Sequence, residues 1–299
     1  MKVVITGGTG FVGRHLVELL LTEGYEVIVL TRNSSYSSNG VSYVQWLTTD
    51  ASPEKEIKTA DAFINLAGVS INEGRWNHIH RQAIFNSRMK ATDELLHIIS
   101  LMEQKPSVLI NASAIGIYPT SETAVYTEES SEKADDLLGT TVEAWEQKAS
   151  AANQMGIRTV FTRFGTVFGK KDGALPLMVT PYKFFVGGKI GNGRQWISWV
   201  HVKDVARAIL FVLRNKSIEG PVNITSPFPK RMNDVGKAIG ATIGKPHWIP
   251  APSPLLKIAL GKKSSLVLEG QFVLPEVLNQ AGYQFEFPVL EDALDDLLT

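Results

Sequence analysis

Three glycines at three-residue spacing, Gly7, Gly10 and Gly13, follow the short apolar run Val3-Val4-Ile5. That run is too short for a helix and β-branched enough for a buried parallel strand. After the glycines come an amphipathic stretch with Leu16, Leu19 and Leu20, then a second β-branched run, Val27-Ile28-Val29-Leu30. Strand, glycine turn, helix and strand form the unit that presents a helix N-terminus to a pyrophosphate. Gly7 turns the chain sharply, Gly10 lets backbone amides approach phosphate oxygens, and Gly13 lets helix and strand pack closely. The cofactor contacts expected here are Gly7, Thr9, Gly10, Phe11, Val12 and Gly13. A tight turn without a ligand is the plain alternative, and the flanking strands and helix weigh against it.

The end of the second strand selects the nucleotide. An acidic residue there would bind a ribose 2′-hydroxyl and repel a 2′-phosphate. This chain has Thr31 and Arg32, with Arg14 in the first helix turn. Guanidinium groups grip a phosphate dianion in bidentate fashion, so the pattern favours NADP(H) over NAD(H). Arg14 has an equal claim as a solvated helix residue, and Arg32 carries the argument.

Other polar residues punctuate apolar runs. Ser113 ends the run Val108–Ser113 and could polarise a carbonyl or simply cap a turn. Tyr118 could serve as an acid or as an amphipathic packing residue. Arg75 and Arg88 suit an anionic substrate, with surface ion pairing as the competing role. Arg163 closes another run beside the expected nicotinamide region, where a structural carboxylate could equally hold it. Leu66, Ala67 and Gly68, after Asn65, are expected to wall the cofactor. His78 and His80 stand two apart on an expected helix and so point to different faces. His201 precedes a helix whose N-cap is expected near Asp204, a structural role. The histidines lack metal-ligand spacing, and no nucleophile elbow is present.

The elements that must position these groups alternate. Strands are expected at 41–46, 61–68, 108–113 and 158–164, and helices at 76–102, 137–155 and 205–213, with a flexible polar loop at 33–40. Alternation of this kind means an α/β doubly wound parallel sheet, a Rossmann fold, with ligands beyond the strands' carboxyl ends. The expected division is a cofactor-binding domain over 1–222, with 173–200 facing the substrate side, and a smaller proline-bearing lobe over 223–299. The chain's 299 residues can bury a large core, and its 30 basic and 30 acidic residues leave no net field for nucleic acid or a membrane surface. The absence of cysteine excludes disulfides and thiolate chemistry and fits a reducing compartment. The apolar run before Thr6 is only three residues long, unlike a secretory signal, and lysines interrupt 254–268, so a cytoplasmic protein is expected. A homodimer is compatible with these features.

Four short motifs carry a family likeness: TGGTGFVG at 6–13, NLAG at 65–68, IYP at 117–119 after Ser113, and HVKDVARA at 201–208. They resemble extended short-chain dehydrogenases/reductases. Gly74-Arg75-Trp76, Ser87-Arg88 and the long tail from Ile249 to Pro288 resemble an atypical epimerase-like subgroup, related to nucleoside-diphosphate-sugar epimerases, with its own C-terminal domain. The resemblance implies a catalytic Tyr with a Lys four residues later, and a Ser or Thr after the fifth strand. With Glu146 as the anchor that follows that pair, its places fall on Leu138 and Val142, and neither carries a titratable proton. Ser113 stands near the hydroxyl position, and Tyr118 where the family often faces substrate. The expectation is therefore an NADP(H)-binding epimerase-like or oxidoreductase-type protein for a small polar substrate, with Ser113 and Tyr118 as its residual polar groups. The alternative is an NADP(H) sensor without turnover.

Overall fold

In this computed structural model the described residues are all but Glu73 and Arg75. The chain runs β1 (Lys2–Thr6), α1 (Phe11–Thr22), β2 (Glu26–Thr31), β3 (Tyr36–Ser38), β4 (Val41–Gln45), α2 (Pro53–Glu56), β5 (Ala62–Asn65) and α3 (His78–Leu101). It continues through β6 (Val108–Ala114), β7 (Val125–Tyr126), α4 (Leu137–Ala149), β8 (Arg158–Phe164), β9 (Thr166–Phe168) and α5 (Leu175–Lys183). Next come β10 (Trp196–Ile197), β11 (Trp199–His201), α6 (Val202–Arg214), β12 (Gly220–Ile224), β13 (Lys230–Arg231) and α7 (Met232–Thr242). The tail adds α8 (Ser253–Leu260), α9 (Ser265–Leu268), β14 (Phe272–Val273), α10 (Glu276–Gln280) and α11 (Leu290–Leu298).

Eight strands form the central sheet in the order β12-β8-β6-β5-β1-β2-β4-β3. All its pairings are parallel except that of β3 with β4. The chain moves outward from β1 through β2 to β4, then returns to β5 on the other flank of β1. That reversal opens a crevice at the carboxyl ends of β1 and β5, where Rossmann sheets bind nucleotides. Alternate residues serve opposite faces. Val3 and Ile5 pack with Leu16, Leu20, Val205 and Ile209 beneath α1 and α6, and Val4 packs with Leu95, Ile98 and Leu109 beneath α3. Burial on both faces explains the uninterrupted apolar strands.

The polar segment 33–40 is not a loop throughout. Tyr36–Ser38 pairs antiparallel with Val41–Tyr43 as an edge strand, and Tyr36 stacks on Tyr43 with centroids 4.3 Å apart. The turn is Asn39-Gly40, both at positive φ (51° and 77°), the backbone that a tight hairpin requires. The expected boundary after residue 222 also falls inside a strand. β12 pairs with β8 along Gly220–Ile224, so the lobe starts beyond it. That lobe includes part of the middle of the chain: Phe168, Leu175, Val179 and Trp199 share a core with α7 and α11. Parallel pairing of β14 with β7 carries the tail back to the main domain.

Candidate active site at the strand ends

The crevice begins as a backbone cradle. Gly7 adopts φ +68°, and a Cβ on it would stand 2.7 Å from the Leu66 carbonyl oxygen. A Cβ on Gly13 would stand 2.2 Å from the Gly7 carbonyl oxygen, far inside contact distance. Helix α3 is capped by Asn77, α4 by Asp136 and α6 by His201, each through its own side chain. Helix α1 starts at Gly10 with no side-chain cap and no acidic residue in its first turn. Its leading N–H groups and positive dipole end thus face the crevice without a resident acceptor side chain, a fit for a pyrophosphate. Phe11 turns its ring away, onto Gly169 and Gly173, and the half-buried Val12 packs against the core. Thr9 is exposed, and its carbonyl accepts from Arg14 Nη1 at 3.3 Å.

A buried polar floor lies under the cradle. Thr6 Oγ1 donates to Asn65 Oδ1 (2.6 Å) and accepts from the Leu66 and Ala67 amides (3.1 Å each). Asn65 Nδ2 donates to Asn111 Oδ1 (2.7 Å) and Thr92 Oγ1 (3.0 Å), and Trp145 Nε1 reaches the same Thr92 oxygen at 3.0 Å. Fully bonded, this network fixes the ends of three neighbouring strands. Beside Gly68, the Arg88 guanidinium donates to the carbonyls of Ile84 (2.9 Å) and Val69 (3.2 Å) and lies 5.0 Å from the Trp145 ring centroid. Burial lowers its pKa to about 10, which still leaves it charged at neutral pH. Among the described residues no carboxylate pairs with it.

The other half of the crevice is built from side chains bonded to one another. Ser113 Oγ donates to Glu146 Oε1 at 2.5 Å. Arg163 grips the same carboxylate through Nε and Nη2, both at 2.8 Å. Its Nη1 donates to Tyr118 Oη at 2.7 Å, and Tyr118 donates onward to Asn223 Oδ1 at 2.9 Å. Burial disfavours the charge on Arg163, but the bonds to Glu146 outweigh that and raise its pKa. Burial also raises the Tyr118 pKa, against the pull of Arg163. Tyr118 is 1% exposed and Ser113 3% exposed, so both stand at the wall rather than in open solvent. Leu138 lies over Gly116, and Val142 is buried with Tyr118 and Tyr126.

The sequence signal missed three parts of this network. Glu146 lies on a helix face where nothing in the sequence distinguishes it from a solvated carboxylate. Asn223, a polar residue inside an apolar strand like Asn65 and Asn111, was recognisable by that pattern. Glu128, which accepts from the amides of Asn223 (2.9 Å), Glu276 (3.1 Å) and Val277 (3.3 Å), sits in an irregular segment without a signal.

At the nucleotide end, Arg32 is exposed beyond β2, and Thr31 Oγ1 accepts from the Asn33 amide at 3.2 Å. Arg14 does not stand free beside them, because its Nη2 pairs with Asp172 at 2.7 Å. Arg75 lies outside the described residues. The α6 cap differs from expectation: His201 Nδ1 accepts from the Lys203 amide (3.1 Å), while Asp204 accepts from the amides of Glu286 (2.8 Å) and Phe287 (2.9 Å). The tail closes on the site loops. Lys263 Nζ donates to the Asn72 carbonyl (2.5 Å), and Gln271 Nε2 to the Tyr118 carbonyl (3.0 Å).

A family model described as NAD dependent epimerase/dehydratase family matches residues 3–225. The chain belongs to that family. A second model, Domain of unknown function (DUF1731), matches residues 251–297 of this family member. The chain is 45% identical over 299 residues to the Epimerase family protein YfhF of Bacillus subtilis, covering 100% of this chain and 98% of that one. Among solved structures it is similar to the human epimerase family protein SDR39U1 with NADPH. There the TM-score is 0.88 and the identity 31%, over 99% of both chains. It is also similar to a nucleoside-diphosphate sugar epimerase from Corynebacterium glutamicum, with TM-score 0.79 and 29% identity, over 99% of this chain and 58% of that one. The family, the Rossmann-type fold and nicotinamide-dinucleotide binding agree with the reading of the glycine turn.

Proposed function

We propose that this family member binds NADP(H) and acts as an epimerase-like or oxidoreductase-type enzyme on a small polar substrate. The observation that carries the binding half is the Gly7–Gly13 cradle, where any Cβ at Gly13 would meet the Gly7 carbonyl. The exposed Arg32, with no acidic residue at the end of β2, supports the 2′-phosphate preference. Arg14 joins it only by leaving Asp172. The human relative is described with NADPH, which supports the same choice. When bound, a nicotinamide supplies hydride donation and acceptance.

Acid and base help falls to Ser113 and Tyr118, because Leu138 and Val142 carry no titratable proton. Ser113 gives its hydrogen to Glu146, which leaves its oxygen as an acceptor for a substrate hydroxyl. Tyr118 must release Asn223 before it can donate elsewhere. Arg88, a buried cation beside Gly68, suits an anionic group on substrate or cofactor, with Arg75 as its expected companion.

A second reading, an NADP(H) sensor without turnover, is favoured by the closed network, in which Ser113 and Tyr118 already have protein partners. Hydride transfer across a panel of carbonyl compounds and sugar nucleotides separates the two. The enzyme reading expects turnover that falls about 10²–10⁴-fold in Ser113→Ala or Tyr118→Phe. Turnover untouched by both would show that other residues do the chemistry, and tight binding with no turnover would establish the sensor.

A further inference from the structure

Equal totals of charge hide a local asymmetry. Residues 173–203 and 235–268 contain no Asp or Glu, although the whole chain has 30. The two acid-free segments fold against each other. The Trp248 and Ile249 amides donate to the Gly187 carbonyl (2.9 and 3.1 Å), and the Ala251 amide to that of Lys189 (2.8 Å). Trp248 Nε1 reaches the Phe185 carbonyl at 2.8 Å, and Lys245 Nζ lies 3.9 Å from the Phe185 ring centroid. Phe185 itself sits at φ 60°, a left-handed backbone that aromatic residues rarely adopt. The joined loops therefore hold the Phe185 ring at the surface on a strained backbone.

What they display is apolar. Phe184 is 73% exposed, Phe185 53% and Trp248 65%. Helix α8 follows directly, has no buried residue, and leaves Leu255 (60%) and Ile258 (83%) in solvent, three positions apart and so on one helix face. Lys183, Lys189, Lys257 and Lys262, in the same two segments, are exposed.

We propose that this face docks onto an anionic lipid bilayer surface. Aromatic rings and aliphatic side chains enter the headgroup boundary and lysines are drawn to anionic lipid, while the two segments contain no carboxylate of their own and Glu122, which meets the first at Asn192, is paired with Arg194. No helix among the described residues is long and apolar enough to cross a membrane, so the contact is peripheral. A second copy of the same face is disfavoured, since self-association would set lysine against lysine. The expectation of no membrane partner rested on net charge, which averages over this face.

The test is co-sedimentation of the full chain with vesicles of phosphatidylcholine alone and of phosphatidylcholine mixed with phosphatidylglycerol. Pelleting with the anionic vesicles, lost as salt rises, is the expected result. Lys257→Glu should weaken it by about tenfold, and Ile258→Asp and Phe184→Ser should do so without lowering the thermal unfolding midpoint. Equal pelleting with both vesicles, none with either, or binding indifferent to Ile258→Asp would overturn the proposal. So would a dimer in sedimentation velocity that Ile258→Asp dissolves, or equally tight binding to soluble polyglutamate, which would assign the face to an acidic protein.

Discussion

The two ends of the strand-end crevice are built on opposite principles. At the β1 end, recognition rests on backbone: an uncapped helix start, a left-handed glycine and positions where no Cβ fits. At the β6–β8–β12 end, the chain supplies side chains that have already satisfied one another, from Ser113 through Glu146, Arg163 and Tyr118 to Asn223. The first arrangement leaves its hydrogen-bonding capacity free for a ligand. The second is rigid and self-contained, and a substrate must compete with the protein for each group. On the proposed function, cofactor binding and chemistry fall at different ends, and each end can be broken alone.

The largest effect is expected at the side-chain end. Glu146→Ala leaves the Arg163 guanidinium buried without its carboxylate, and breaking such a pair costs about 3–5 kcal/mol in stability. Denaturant unfolding should show that loss, while the folded fraction retains NADPH binding. A variant of unchanged stability would mean that solvent reaches Arg163 easily.

At the backbone end, Gly13→Ala forces a Cβ against the Gly7 carbonyl and should destabilise by about 1–3 kcal/mol. Calorimetry should find NADPH affinity nearly abolished in the protein that remains folded. Retained affinity would show that the turn can relax without cost to the phosphate site.

A smaller effect should follow pH, away from both ends. Burial lowers the His201 pKa from 6.5 to about 4, even beside Asp296, and the ring stacks on Phe287. The unfolded chain therefore takes up this proton first, so stability is full above 6.5 and falls as pH drops toward 4. Burial raises the pKa of Glu128 and Asp204, which act in the opposite direction over the carboxylate range and flatten the loss. Chemical denaturation across this range checks the slope, which His201→Asn should reduce.

The backbone end was the legible one. Glycine spacing and β-branched runs encode local geometry, and Val3–Ile5, Gly7 and Gly13 fall where that geometry requires. The Asn39-Gly40 hairpin was legible too, but the surrounding serines masked its turn signal. The side-chain end depends on partners far apart in sequence. Nothing near Arg163 announces Glu146 or Tyr118, and Arg14 meets Asp172 only because the β9 loop returns to α1. The position of residue 222 inside β12 was hidden for a related reason: that strand follows a helix as an ordinary sheet strand, and the proline-rich composition begins just beyond it. Local signals fix the elements, whereas long-range pairing decides which polar groups remain free.

The central claim is that the backbone cradle with Arg32 selects NADP(H), and titration calorimetry tests it most directly. The native protein should bind NADPH at least about tenfold more tightly than NADH, one charge-assisted contact's worth of free energy. Arg32→Asp should abolish or reverse that preference. Equal affinity of the native protein for both nucleotides would contradict the account.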